Sequence, residues 1–177
     1  MLKDLQNCGL LEVYAKDDDS KFNVGQLLSF DNDWLFLLCI DTYGKFDGYM
    51  LLYRENVFKI NYETKYLKDL APQVQISKQA IEERINTNNN LLSETLKLVP
   101  DGYIVSIILL NGNVIIGKIC CKQDKFLKIK SYTDNGCEDG YTIITTDMIS
   151  SIQFKNRECL EIQRNITSLL KTARGGN

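Results

Sequence analysis

Histidine is absent from this 177-residue chain. That gap removes the commonest general base, the imidazole metal ligand and every histidine-activated nucleophile. No two of the six cysteines stand at the Cys-x-x-Cys spacing of zinc and redox sites, and neither a Walker phosphate loop nor a dinucleotide fingerprint is present. An excess of charge is missing too: 21 Lys plus Arg stand against 23 Asp plus Glu, for a net of -2. No overall field therefore recruits nucleic acid or an anionic membrane. The longest apolar runs, WLFLLCI and IILL, fall far short of a bilayer span. The N-terminal stretch MLKDLQNCGLLEVYAKDDD has no long apolar segment after its lysine, which argues against a secretory signal. The chain reads as a non-catalytic cytoplasmic protein with no metal, no cofactor and no membrane partner.

Cys8, Cys39, Cys120, Cys121, Cys137 and Cys159 are then expected to be mostly buried reduced thiols, since free cysteine behaves as a small hydrophobe. Strand alternation places at most one of the adjacent Cys120 and Cys121 on an exposed face. The run Asp17, Asp18, Asp19 lacks the spaced ligands and closing Glu of a calcium loop and reads as a solvated turn. Asp31 and Asp33 alternate beside a turn, which does not set two carboxylates across a cleft for acid and base work.

What the chain does have is repetition. Shifted by 92 positions, Val13 falls on Val105, Gly25 on Gly117, Leu35 on Leu127, Gly44 on Gly136 and Ile60 on Ile152. Asp47, Gly48 and Tyr49 fall on Asp139, Gly140 and Tyr141. Internal similarity outranks local propensity, so the chain is expected to be a tandem duplication. Each copy reads as five short strands: LLEVYA, FNVGQLLSF, WLFLLCIDT, GYMLLY and VFKINY, then YIVSIILL, VIIGKICCK, FLKIKSY, GYTIITT and SSIQF. Asp-Gly is a strong hairpin signal, so each DGY is expected to turn the third strand into the fourth, its tyrosine packing on the sheet. Five such strands bury one face and limit their edges most simply by closing into a small barrel. Gly25 and Gly117 fit the bend of a long second strand.

Between the copies, Ser77 is a candidate N-cap, with Ile76 and Ile81 as a hydrophobic staple. Ile81, Ile85, Leu92 and Leu96 share a helical stripe. A second stripe, Ile162, Ile166, Leu169 and Ala173, follows the second copy and stops at Gly175, and YETKYLKDL follows the first. The expected fold is mainly β with a few helices: a first barrel over 1–75, a helical linker over 76–100, and a second barrel with a C-terminal helix over 101–177.

The segment VSIILLNGNVIIGKICCKQDKFLKI, with Val105, Ile107, Leu109, Asn111, Gly117 and Ile119, resembles the first motif of the Sm-like (LSm) family of small RNA-associated barrels. The resemblance implies two tandem five-stranded Sm-like or SH3-like barrels. It also implies rings in which the fourth strand of one subunit pairs with the fifth strand of the next. At the positions that hold a base in that family, this chain carries Asp31 and Leu35, or Gln123 and Leu127. Where the second motif has Arg-Gly, it carries Tyr53 and Arg54, or Thr145 and Thr146. Leucine cannot make those hydrogen bonds, so the usual RNA pocket is not expected.

A different RNA surface is open to the second copy. Lys118, Lys122, Lys125, Lys128 and Lys130 lie on its second and third strands, with Phe126 among them. Lysines along a groove neutralise phosphates, and aromatics stack bases. Alternating lysine is also what the wet face of a strand carries. The leading expectation is an assembly or interaction module that binds a protein partner or its own copies as a homo-oligomer; RNA binding through the lysines is the alternative.

Overall fold

The computed structural model describes residues 2–16, 22–74, 90–123 and 125–175. Among the described residues, strand accounts for 49% and helix for 29%, in ten antiparallel strands and four helices. The chain divides into two units, Met1–Leu98 and Val99–Asn177.

In the first unit, α1 (Leu2–Leu5) precedes β1 (Leu10–Ala15), β2 (Asn23–Phe30), β3 (Trp34–Ile40), β4 (Phe46–Tyr53) and β5 (Val57–Tyr62), followed by α2 (Lys65–Leu70) and α3 (Leu91–Leu98). The strand order is β5-β1-β2-β3-β4. A four-strand meander is thus joined by a fifth strand that returns to pair with the first. One face is filled by Leu11, Val13, Leu27, Leu35, Leu37, Met50 and Leu52, with Leu5 from α1 among them. The run WLFLLCI does not alternate in polarity, and the fold shows why. Trp34, Phe36 and Leu38 on its other face are buried as well, and α3 packs against β3. The buried Leu91, Leu92, Thr95 and Leu96 of α3 follow the helical stripe expected around Leu92 and Leu96. The side-chain carboxylate of Asp31 accepts the Leu91 amide at 2.8 Å. Ser77, Ile76, Ile81 and Ile85, and the Asp17–Asp19 turn, lie outside the described residues.

The second unit has β6 (Ile104–Leu109), β7 (Val114–Gln123), β8 (Phe126–Tyr132), β9 (Glu138–Thr145), β10 (Ile149–Phe154) and α4 (Arg157–Gly175), in the order β10-β6-β7-β8-β9. Ile162 and Ile166 of α4 pack with Cys159 on Ile104, Tyr132 and Ile116. Full burial of each such side chain contributes roughly 1.5–3 kcal/mol.

The duplication extends to hydrogen-bond register. Gly25 pairs with Cys39 and Gly117 with Ser131; Leu38 pairs with Tyr49 and Lys130 with Tyr141. Bulges recur at matching places, between Leu27 and Ser29 and between Ile119 and Cys121. Both units carry a non-glycine residue at positive φ just before a helix, Glu63 at 55° and Lys155 at 58°, a conformation uncommon enough to mark common design. Each is followed by a matching N-cap: Thr64 Oγ1 accepts the Leu67 amide, and Asn156 Oδ1 accepts the Cys159 amide.

Two expectations need correction. The first strands do not follow the shift of 92, because Gly25 pairs with Leu11, whereas Gly117 pairs with Val105. Val105 thus matches Leu11 and not Val13. The slip is of two residues, so every side chain keeps its face. The DGY triplets are also not the hairpin turns. The chain reverses over Asp41–Lys45, where the Asp41 amide donates to the Lys45 carbonyl, and over the matching Thr133–Cys137; Gly44 and Gly136 take φ of 74° and 81° there. Asp47-Gly48 and Asp139-Gly140 form β-bulges inside β4 and β9, each glycine at positive φ.

Candidate functional site

Register decides which of the lysines meet. Lys118 pairs with Lys130 and Lys130 with Tyr141; Cys121 pairs with Lys128 and Lys128 with Ile143; Gln123 pairs with Phe126 and Phe126 with Thr145. These three rows lie on one face of β7, β8 and β9, since residues two apart on a strand share a face. The intervening Leu127 and Ile129 are buried on the other. Lys118, Phe126, Lys128 and Lys130 therefore come together. Lys122 pairs with Leu127 and faces the opposite way, and Lys125 sits in the β7–β8 turn, where its carbonyl accepts the Thr146 amide.

The cause is the bulge at Cys120. One extra residue breaks the alternation, so the face that starts at Lys118 continues through Cys121 and Gln123. The same bulge leaves both Cys120 and Cys121 exposed, against the expectation that one is core. Of the six thiols Cys159 is buried, Cys8 and Cys39 are half-buried, and Cys137 is exposed as well. Cys39 packs against the first core; burial and then the charge of Asp47 push its thiol up to about 12, which makes it a poor nucleophile.

The electrostatics of the lysine face are uneven. Lys130 forms an ion pair with Glu138, and that hydrogen bond is the chief reason its pKa is raised. Partial burial, and then the neighbouring charge of Lys130, lower that of Lys118. The Lys128 ammonium lies 4.7 Å from the centre of the Tyr141 ring. Sequence reasoning missed that Tyr141 and Ile143 belong to this surface, 62% and 66% exposed. The alternation of GYTIITT carried that signal. Tyr141 was expected to pack on its sheet as Tyr49 does. Tyr49 is 2% exposed, stacked on Phe36 and edge-on to Phe46. The paired tyrosines thus share register but not surroundings.

The repeated glycines have a steric reason. A Cβ on Gly25 would lie 2.1 Å from the Leu38 carbonyl oxygen, and one on Gly117 would lie 2.4 Å from that of Lys130. At both places the neighbouring strand comes too near for any side chain.

A second candidate surface is formed by strand edges. β5 ends the strand order of the first unit and β9 that of the second, and both are largely exposed. Beside β5 lies an aromatic cluster in which Tyr14 meets Phe22 and Phe58, and Phe22 meets Tyr66. Lys59 stands 3.8 Å over the Tyr14 ring.

Beneath that cluster lies Glu12, 4% exposed. Its carboxylate accepts hydrogen bonds from Thr64 at 2.5 Å, Asn61 at 2.9 Å and Tyr14 at 3.2 Å. Burial alone works against its charge, but these bonds and nearby Lys59 outweigh it and hold the carboxyl below its usual value. The network joins β1, β5 and the start of α2, a structural task. A pocket of about 440 Å³ opens in the first unit beside Cys8, Leu10, Gln26, Glu63 and Leu67. Among the described residues, no group of three or more His, Cys, Asp or Glu is placed to hold a metal ion, and no helix is long and apolar enough to cross a membrane. Comparison with protein-family models, curated proteins and solved structures found no match to this chain.

Proposed function

We propose that the chain is a non-catalytic cytoplasmic assembly module whose two units are Sm-like barrels, and that it self-associates head to tail through β5 and β9. The observation that carries this reading is the pair of open, exposed strand edges, one in each unit. β9 is the fourth strand of its unit and β5 the fifth strand of its own, the two positions through which Sm-like subunits join. Support for the barrel reading comes from the strand order, in which the fifth strand returns to the first, and from the bulges repeated in both units. An unpaired edge presents a row of amide donors and carbonyl acceptors, and adding a strand to it is a recurrent mode of association. Each bond so made contributes about 0.5–1.5 kcal/mol net, and burial of Phe58 or Tyr62, both exposed, adds to it.

Sedimentation velocity over a concentration series tests this. Adjacent residues of a strand send their amides to opposite edges, so of Thr142→Pro and Ile143→Pro one removes only an outward donor while the other breaks the ladder with β8. The expected result is a wild-type oligomer and one proline variant that stays folded as a monomer. A wild type that is monomeric throughout, or folded proline variants with undiminished mass, would falsify the reading.

A further inference from the structure

The two units share a register but not an outer face. In the first, Trp34, Phe36, Leu38, Tyr49 and Leu51 are all buried, and α3 packs on β3. The residues in the same register positions of the second unit are Phe126, Lys128, Lys130, Tyr141 and Ile143. Here the face is open: Phe126 is 46% exposed and Tyr141 and Ile143 more so. Three large apolar side chains in adjoining rows are in water where their counterparts Trp34, Tyr49 and Leu51 are buried. In unit one a short helix with leucines on one stripe packs against the central strand β3, its first amide held by the residue at the β2–β3 turn, Asp31. Gln123, which also offers a side-chain oxygen acceptor, stands at the corresponding place beside Phe126.

We propose that the outer face of β7, β8 and β9 is a docking site for an acidic amphipathic helix of a partner protein. The apolar stripe of that helix covers Phe126, Tyr141 and Ile143, and its carboxylates meet Lys118 and Lys128. Charge complementarity selects the acidic helix, because lysines take the places that Phe36 and Leu38 hold in the first unit. An RNA strand fits less well: Ile143, exposed beside Lys128 in the middle of the face, offers no ring to stack a base. The helix would lie on side chains of the sheet face, whereas self-association uses the outward backbone groups of β9, so Lys128→Glu tests the first without removing a donor of the second.

The test uses the full chain and three labelled probes, read by fluorescence anisotropy: a helical peptide with leucines at the spacing of Leu91, Leu92 and Leu96 and glutamates elsewhere, the same peptide with lysines for glutamates, and a short oligouridylate. The acidic peptide is expected to bind saturably, the basic one not, and Lys128→Glu and Ile143→Glu are each expected to weaken binding at least about tenfold. Both positions are solvent-facing, and thermal melts verify that the variants fold. Absence of saturable binding by the acidic peptide, or binding indifferent to both variants, overturns the proposal. So does an oligouridylate that binds through Lys128 while the acidic peptide does not, since that assigns the face to nucleic acid.

Discussion

Replacing Gly25 with alanine tests the steric account of the repeat most directly. The added methyl would stand 2.1 Å from the Leu38 carbonyl oxygen and 3.0 Å from its carbon, well inside van der Waals contact, and the obstacle is backbone rather than a side chain that can swing aside. β2 and β3 must part locally, which strains their ladder and disturbs the packing around Leu27 and Leu37, both buried. Overpacking a core by a methylene costs about 1–3 kcal/mol. A rigid carbonyl in the way puts Gly25→Ala at the upper end, about 3 kcal/mol, or a melting temperature lower by roughly 6–12 °C for a chain of this size. Gly112 supplies the contrast, with φ of 83° and open space around its missing Cβ. Alanine there meets only the left-handed backbone penalty, about 1–2 kcal/mol, and asparagine meets less of it. Thermal melts and urea titrations of alanine and asparagine variants at both sites should show asparagine milder than alanine at 112 and harsher at 25. The same order at both sites, or a Gly25→Ala loss no larger than that of Gly112→Ala, would refute close strand approach as the reason for the glycine.

Glu12 gives a pH signature: its folded pKa lies below the usual 4.5, so its stabilisation is complete above that value and disappears as pH falls through the folded one. Glu12→Gln should flatten the acid limb of the stability profile measured by urea denaturation, and an unchanged limb counts against the network. Tyr49→Ala should cost about 3–5 kcal/mol, as for other large buried aromatics, while Tyr141→Ala should stay within about 0.5 kcal/mol; equal losses would mean the two environments are alike after all. Thr64→Ala and Asn156→Ala each remove a helix cap and should cost about 0.5–2 kcal/mol, with glycine variants losing less; indifference to both changes would show that the caps do not hold α2 and α4.

Strands were legible because their apolar runs are short and bounded by Asn, Asp and Gly, and β1 coincides with LLEVYA. Helix α4 was legible from Ile162 and Ile166, which lie in the second core. Bulges were not. Nothing in ICCKQ announces that Cys120 is the extra residue; that depends on how β7 bends against β8, a property of the pair. One unseen bulge therefore misplaced Lys122 and the exposure of two cysteines. DGY was misread for a related reason. Asp-Gly supplies a positive φ, which suits a turn or a bulge equally, and the choice falls to the Asp41 and Thr133 turns a few residues earlier. The tie between Asp31 and Leu91 crosses some sixty residues, and periodicity carries no information about such a contact. The candidate docking face was half legible: its lysines stood out, but Tyr141 and Ile143 joined them only once the strands were in register.

Matched ladders also bear on how the chain avoids misfolding. Since the two halves agree bulge for bulge, β8 is geometrically able to compete with β3 for its place between β2 and β4 while the polypeptide collapses, a characteristic hazard of tandem copies. Its side chains forbid the exchange. An intruding β8 would bring Lys128 and Lys130 to the places of Phe36 and Leu38, both fully buried, entombing two ammonium groups at a steep desolvation cost. Divergence on that face thus serves as a proofreading code that keeps each strand with its own sheet.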